Sequence, residues 1–172
     1  MIWNYIRKFK RATHRKAPKN DEWIPSFLDK YAPISPPEKH FGFRRGRNAA
    51  ESFTSLISDI KQSFHSHSYT ICAFLDVTGA FDNVNPSILI EILNDVGVPG
   101  KVCKWIFNFL YERQMYIKFN NTLHGPRSVY KGTMQGATIS PLLYNLYTSQ
   151  INKYLTDPSV KCLLFADDIV VY

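Results

Sequence analysis

Apolar residues recur along the chain with two periods, one helical and one of strands. Ile2, Tyr5, Ile6 and Phe9 are spaced for one face of a helix, after which Pro18, Pro25, Pro33, Pro36 and Pro37 break the pattern and predict a linker or irregular wrap to about His40. A second helix is predicted from Asn48, a side chain suited to cap it, with Glu51 three residues on. Ala50, Phe53, Ile57, Ile60 and Phe64 supply its apolar face. The run from Tyr69 to Asp76 reads as a strand. Asn85 and Pro86 then open a helix whose buried stripe is Ile88, Leu89, Ile92, Leu93 and Val96, stopped by Gly97. Trp105, Ile106, Phe109 and Leu110 predict a further helix from Gly100 to about Glu112.

The second half changes period. Met115 to Phe119 alternates as a strand, and the turn residues Asn120-Asn121 and Gly125-Pro126 before Ser128-Val129-Tyr130 predict a hairpin. Gly132 to Gly136 forms a glycine-bounded loop. Ser140-Pro141 opens a helix with Leu143, Leu146, Tyr147, Ile151 and Leu155 on its apolar face, which Asp157-Pro158 ends. The closing run Leu163 to Tyr172 predicts strand, tight turn at Asp167-Asp168, and the start of another strand, so the chain stops in a hairpin with its last strand as an open edge.

Composition narrows the class. With 172 residues, 45% hydrophobic and 15% aromatic, the chain can bury a single core and is not a disordered tail. The net charge of +7 comes from residues 1–20, where Arg7, Lys8, Lys10, Arg11, Arg15, Lys16 and Lys19 stand without an acid. The remainder balances. Arg44, Arg45 and Arg47 form a smaller cluster. Such runs attract phosphate, although a solvated face is an equally good reading of a basic run taken alone. Cys72, Cys103 and Cys162 have neither zinc-ligand spacing nor the even number of a disulfide framework. Neither a membrane span nor a signal peptide is indicated, which leads to the expectation of an intracellular protein, nuclear or cytoplasmic, with no membrane partner.

Chemistry enters through three acids. Asp76 closes the apolar run Ile71-Cys72-Ala73-Phe74-Leu75, and Asp167-Asp168 interrupt another, so all three are expected in buried surroundings. No Lys or Arg lies within four residues of any of them. A buried carboxylate without a partner is costly, and hard Mg²⁺, held by one or two carboxylates and completed by water and substrate phosphate, resolves that cost.

Four ordered segments carry a resemblance. Phe41-Gly42-Phe43-Arg44-Arg45-Gly46-Arg47, Phe74-Leu75-Asp76-Val77-Thr78-Gly79-Ala80-Phe81-Asp82-Asn83-Val84, Gly132-Thr133-Met134-Gln135-Gly136-Ala137-Thr138-Ile139-Ser140-Pro141 and Phe165-Ala166-Asp167-Asp168 resemble, in order and spacing, the reverse transcriptase family. The Phe-Ala-Asp-Asp turn and the continuation Ala-Phe-Asp-Asn-Val are most similar to the non-LTR, LINE-type retrotransposon enzymes, and group II intron maturases share much of the pattern.

The resemblance implies an α+β fold: a polymerase palm, a ferredoxin-like antiparallel sheet packed on helices, with partial fingers and the thumb absent. It implies two domains of the chain, a basic N-terminal helix and Pro-rich linker over 1–38 and a fingers and palm region over 39–172. It implies RNA-directed DNA polymerase activity on an RNA template and DNA primer with dNTPs. Two Mg²⁺ ions, or Mn²⁺ in their place, would be held by Asp76, Asp167, Asp168 and the Val77 backbone. Phe81 matches the steric gate that rejects a 2′-hydroxyl. Gln135 and Gly136 match the loop that contacts nucleotide and template, and Arg44 and Arg45 the region that holds the triphosphate or template. Asp82 is open between a structural and a site role. The fingers region ahead of Phe41 is shorter than the family's, and the chain ends before the remaining palm motifs, which leads to the expectation of weak or no extension by this segment alone. A remnant that at most binds nucleic acid is the alternative.

Overall fold

A computed structural model describes residues 39–44 and 46–172. The N-terminal helix, the proline-rich linker and Arg45 lie outside the described residues.

The first helix, α1 (Ala49–His65), starts as its sequence requires: Asn48 caps it, its Oδ1 accepting from the Glu51 amide at 2.9 Å. The buried residue is Leu56, with Ile60 partly covered. Phe53, Ile57 and Phe64, expected to face the core, are exposed. The face that meets the sheet is rotated from the most apolar stripe because Asp59, on that side, is tied to it: the Asp59 carboxylate takes Lys161 Nζ at 3.0 Å, Lys39 Nζ at 3.4 Å and the Tyr172 hydroxyl. These partners hold the Asp59 carboxyl below its usual range, the tyrosine hydrogen bond first among them, while burial and the same bond push the Tyr172 hydroxyl upward.

After β1 (Ala73–Asp76) and a 3₁₀ turn at Phe81–Asn83 come α2 (Pro86–Asp95) and α3 (Gly100–Leu110). Asn85 caps α2 through the Ser87 amide, and Gly97, at φ 80°, ends it in a left-handed turn that lets Val98 N–H reach Leu93 O at 2.9 Å. The hairpin β2 (Arg113–Phe119) and β3 (Thr122–Val129) follows, then α4 (Ser140–Thr148) and a separate turn of helix, α5 (Ile151–Tyr154). One continuous helix was expected to Leu155; instead Ser149 donates back to Leu146 O at 2.6 Å and the helix breaks at Ser149–Gln150.

Strands β4 (Cys162–Phe165) and β5 (Asp168–Val171) complete a three-stranded antiparallel sheet in the order β1-β5-β4. The last strand is therefore central, not the open edge the sequence led us to expect. The edge is β1, exposed throughout, with Phe74 68% accessible. One face of the sheet packs Leu163 on Leu56 and Phe41. The other packs Cys162, Leu164 and Ile169 on Ile151, Leu155 and Val77. The main core lies between α2, α3 and α4, where Leu89, Leu93, Ile106, Leu110, Leu143 and Leu146 are fully buried, each contributing about 2 kcal/mol. Cys103 and Cys162 are buried and all three cysteines are free thiols. Among the described residues no helix is long and apolar enough to cross a membrane.

Candidate active site

The register of the sheet brings two of the three acids face to face. Asp76, at the end of β1, pairs across the ladder with Asp168, the first residue of β5, so both side chains leave the same face, and opposed Cβ atoms of such pairs lie about 5 Å apart. Asp167 sits in the two-residue turn Ala166-Asp167 that joins Phe165 to Asp168, with Ala166 at a left-handed φ of 55°. The acids are not buried as expected. Asp76 and Asp168 are exposed and Asp167 half-buried, because among the described residues β1 has no neighbour on its outer side and Asp167 lies in the turn. Among the described residues none of the three is ion-paired or hydrogen-bonded to a protein side chain.

That turn is braced from behind. Residues Lys39 to Phe41 run parallel to β4, with Phe41 N–H donating to Leu164 O at 2.7 Å and Leu164 N–H to Lys39 O at 3.1 Å. Gly42 then passes directly behind Phe165 and Ala166, and its carbonyl accepts from Asn145 Nδ2, fully buried on α4, at 2.7 Å. Beside it the buried His40 ring meets Thr148 Oγ1 at 3.3 Å. Burial, aided by the Arg44 charge, lowers the His40 pKa to about 4, so the ring is neutral. Sequence reading missed this brace: Asn145, Thr148 and His40 carry no motif signal, and a buried polar residue within an apolar helix was the sole clue.

The second wall of the site is made where two loops dock. Thr133 N–H donates to Phe81 O and Gly132 N–H to Val84 O, both at 2.7 Å. A Cβ on Gly132 would lie 2.8 Å from the Asp82 backbone, and its φ is 84°, so only glycine fits this approach. Gln135 is exposed and donates to Asp82 Oδ1 at 3.4 Å, and Lys131 Nζ reaches Asn83 Oδ1 at 2.7 Å. Asp82 thereby contacts Gln135. Gly136 lies in open space at φ 88°. Arg113, also unanticipated, ties this wall to α3: Nε donates to Leu110 O at 2.9 Å and Nη2 to the carbonyls of Lys131 and Gly132 at 2.6 and 2.9 Å.

Phe81 is held between two rings. Its ring stacks on Tyr144 at 4.6 Å between centroids and takes Phe43 edge-on at 6.1 Å. Burial, and after it the Asp167 charge, push the Tyr144 hydroxyl up to about 12. Phe81, Tyr144 and Asp167 thus form one neighbourhood. Arg44 is half-buried and donates to its own segment, at His40 O, 3.1 Å away. The Val77 carbonyl accepts from the Ala80 amide at 3.1 Å and keeps a second lone pair.

The donor set suits a hard divalent cation: carboxylate oxygens, with no ion pair to a cation among the described residues. Among the described residues, however, no three His, Cys, Asp or Glu side chains gather closely enough to hold an ion.

The family described as reverse transcriptase (RNA-dependent DNA polymerase) matches residues 9–172. The chain is 32% identical over 141 residues to a probable RNA-directed DNA polymerase from transposon BS of Drosophila melanogaster, covering 78% of this chain and 15% of that protein. It is 29% identical over 137 residues to the corresponding protein of the transposon X-element of the same fly, with 78% and 15% covered. The group II intron-encoded protein LtrA of Lactococcus lactis matches at 29% over 151 residues, with 80% and 23% covered. The chain thus spans less than a quarter of the length of these relatives. On the family match and these relatives together, the chain belongs to the reverse transcriptase family, with the non-LTR, LINE-type elements among its kin.

Proposed function

We propose that this chain is the catalytic segment of an RNA-directed DNA polymerase, which joins deoxynucleotides to a primer 3′-hydroxyl along an RNA template. The observation that supports it most directly is the opposition of Asp76 and Asp168 with Asp167 in the adjoining turn. In this reading the three-stranded sheet is the palm, and residues 39–172 include part of the fingers.

Two Mg²⁺ ions, or Mn²⁺, bound there would lower the pKa of the primer hydroxyl and neutralise charge on the reacting phosphates. Asp76 and Asp167 would be the principal ligands, with Asp168 and the Val77 carbonyl beside them. The chain's own residues do the rest. Phe81, fixed by Tyr144, occupies the space a ribose 2′-hydroxyl would need. Gln135, steadied by Asp82, lies where the nascent base pair sits, and Gly136 lets the backbone approach it. Arg44 faces the triphosphate or template, with Arg45 its neighbour in sequence. Primer extension on an RNA template in Mg²⁺ or Mn²⁺ tests the reading: Asp76→Asn should abolish it, and equal activity in that variant refutes the assigned chemistry.

A second reading, a remnant that binds nucleic acid without catalysis, is favoured by the absence of a compact metal-holding group among the described residues. Mn²⁺ binding, followed by its paramagnetic resonance, separates the two. Binding that Asp76→Asn removes supports the enzyme; retained RNA affinity with no Mn²⁺ binding supports the remnant.

A further inference from the structure

The charge of residues 21–172 sums to zero, but its signs are segregated. From Arg113 to Thr156 there is no Asp or Glu, while Arg113, Lys118, Arg127, Lys131 and Lys153 all fall in that stretch. Most of these lie on or beside the β2–β3 hairpin, whose strands, among the described residues, pair only with each other and are exposed at most positions. A two-stranded hairpin alone is marginally stable in water, so one left uncovered invites a partner.

Side chains on the hairpin indicate which partner. On one face β2 presents Met115, Ile117 and Phe119 opposite Arg127, His124 and Thr122. Phe119 is 58% exposed and Ile117 55%. Lys118 projects from the other face, opposite Leu123. Among the described residues none of Lys118, His124 and Arg127 is in an ion pair. At the hairpin base Phe107 stacks on Tyr111 at 4.9 Å, and Tyr111 meets Tyr130 edge-on at 5.6 Å, with both tyrosines exposed. Cations without acids repel a basic partner and attract a polyanion. Open rings between them offer stacking surfaces that a paired duplex, with its bases hidden, cannot use.

We propose that the β2–β3 hairpin is an arm that grips single-stranded nucleic acid across its edge, with Lys118 and Arg127 reaching phosphates from its two faces and Phe119 and Tyr130 against bases. Arg113 anchors this arm to the Lys131–Gly132 carbonyls, and Gln135 follows three residues later, so a strand held on the arm leads into the wall of the site. Its identity as the template rests on the polymerase reading; the binding itself does not.

The test measures fluorescence anisotropy of a short fluorescein-labelled single-stranded RNA on the whole chain, over a range of salt concentrations. The double variant Lys118→Glu/Arg127→Glu should weaken binding at least about tenfold and lower the log–log salt slope by about 1.4, the value for two single-strand phosphate contacts. Phe119→Ala should weaken it about tenfold with the slope unchanged, and the same sequence as a blunt duplex should compete poorly. Asp76→Asn serves as control and should bind like the parent, so loss of polymerase activity and loss of the arm remain separable. Because all these side chains are exposed, thermal unfolding should be unaltered. Unchanged affinity and slope in the double variant would overturn the proposal. Equal competition by duplex would overturn the role given to the rings.

Discussion

Gly42 lies against the backbone of Ala166, the first residue of the acidic turn: a Cβ at position 42 would collide with the Ala166 nitrogen and lie 2.9 Å from its Cα. No flexible side chain is available there to yield, so one methyl at position 42 must displace either the turn or the segment behind it.

Gly42→Ala is therefore expected to act on the acids at a distance. A displacement of about 1 Å in reacting groups can cost about a hundredfold in rate. Single-turnover primer extension should fall by about that factor, while the helical core, remote from the turn, keeps its unfolding transition within a few degrees. Full activity in this variant would show that the turn is held by its own hairpin alone.

Phe81→Val removes the ring stacked on Tyr144 and opens the space proposed above for the sugar. The expected result is a rise of about tenfold or more in ribonucleotide incorporation relative to deoxynucleotide, since a steric exclusion of this size is worth about 1–3 kcal/mol. Competing incorporation of the two nucleotides on one template measures it. An unchanged ratio would reduce Phe81 to a packing residue.

Arg113→Ala leaves the Lys131 and Gly132 carbonyls without their donor and frees the loop that carries Gln135. Stability should fall by about 2 kcal/mol, as for other hydrogen bonds to a charged group. The KM for the nucleotide should rise more than kcat falls, with Lys restoring part of the effect through a single donor. Steady-state extension at varied nucleotide concentration separates these, and a purely structural arginine would leave KM unchanged.

His40 supplies a pH dependence. Its pKa falls from 6.5 in the unfolded chain to about 4 in the fold, because a charge there would be buried beside Arg44. The unfolded state therefore binds the proton first. Stability contributed by the neutral ring is complete above about pH 6.5 and declines as pH falls toward about 4, by about 3 kcal/mol at most. Denaturant titrations across that window should show the loss, and His40→Gln should flatten it.

Motif and turn chemistry were legible in the sequence to different depths. Asn48, Asn85 and Gly97 mark helix ends by local hydrogen bonding alone, and the structure places them there. The order of strands was not readable, because a run such as Leu163 to Val171 does not say which neighbour it will pair with. Hence β5 was taken for an edge. Burial misled for the same reason: Phe74 and Leu75 are apolar, but the strand that bears them has a single partner and stays open. The acids were found through their motif, whereas Asn145 and Arg113, which brace the two walls, act through backbone carbonyls that leave no pattern in the chain.

The ladder that joins β1 to β5 has four rungs, and the last is Asp76 with Asp168. Side chains alternate along it, so sliding either strand by a single residue would turn one carboxylate to the opposite face while leaving composition and hydrophobicity intact. Inheritance of this protein is thus far more sensitive to small insertions and deletions within those few residues than to substitution at most of them.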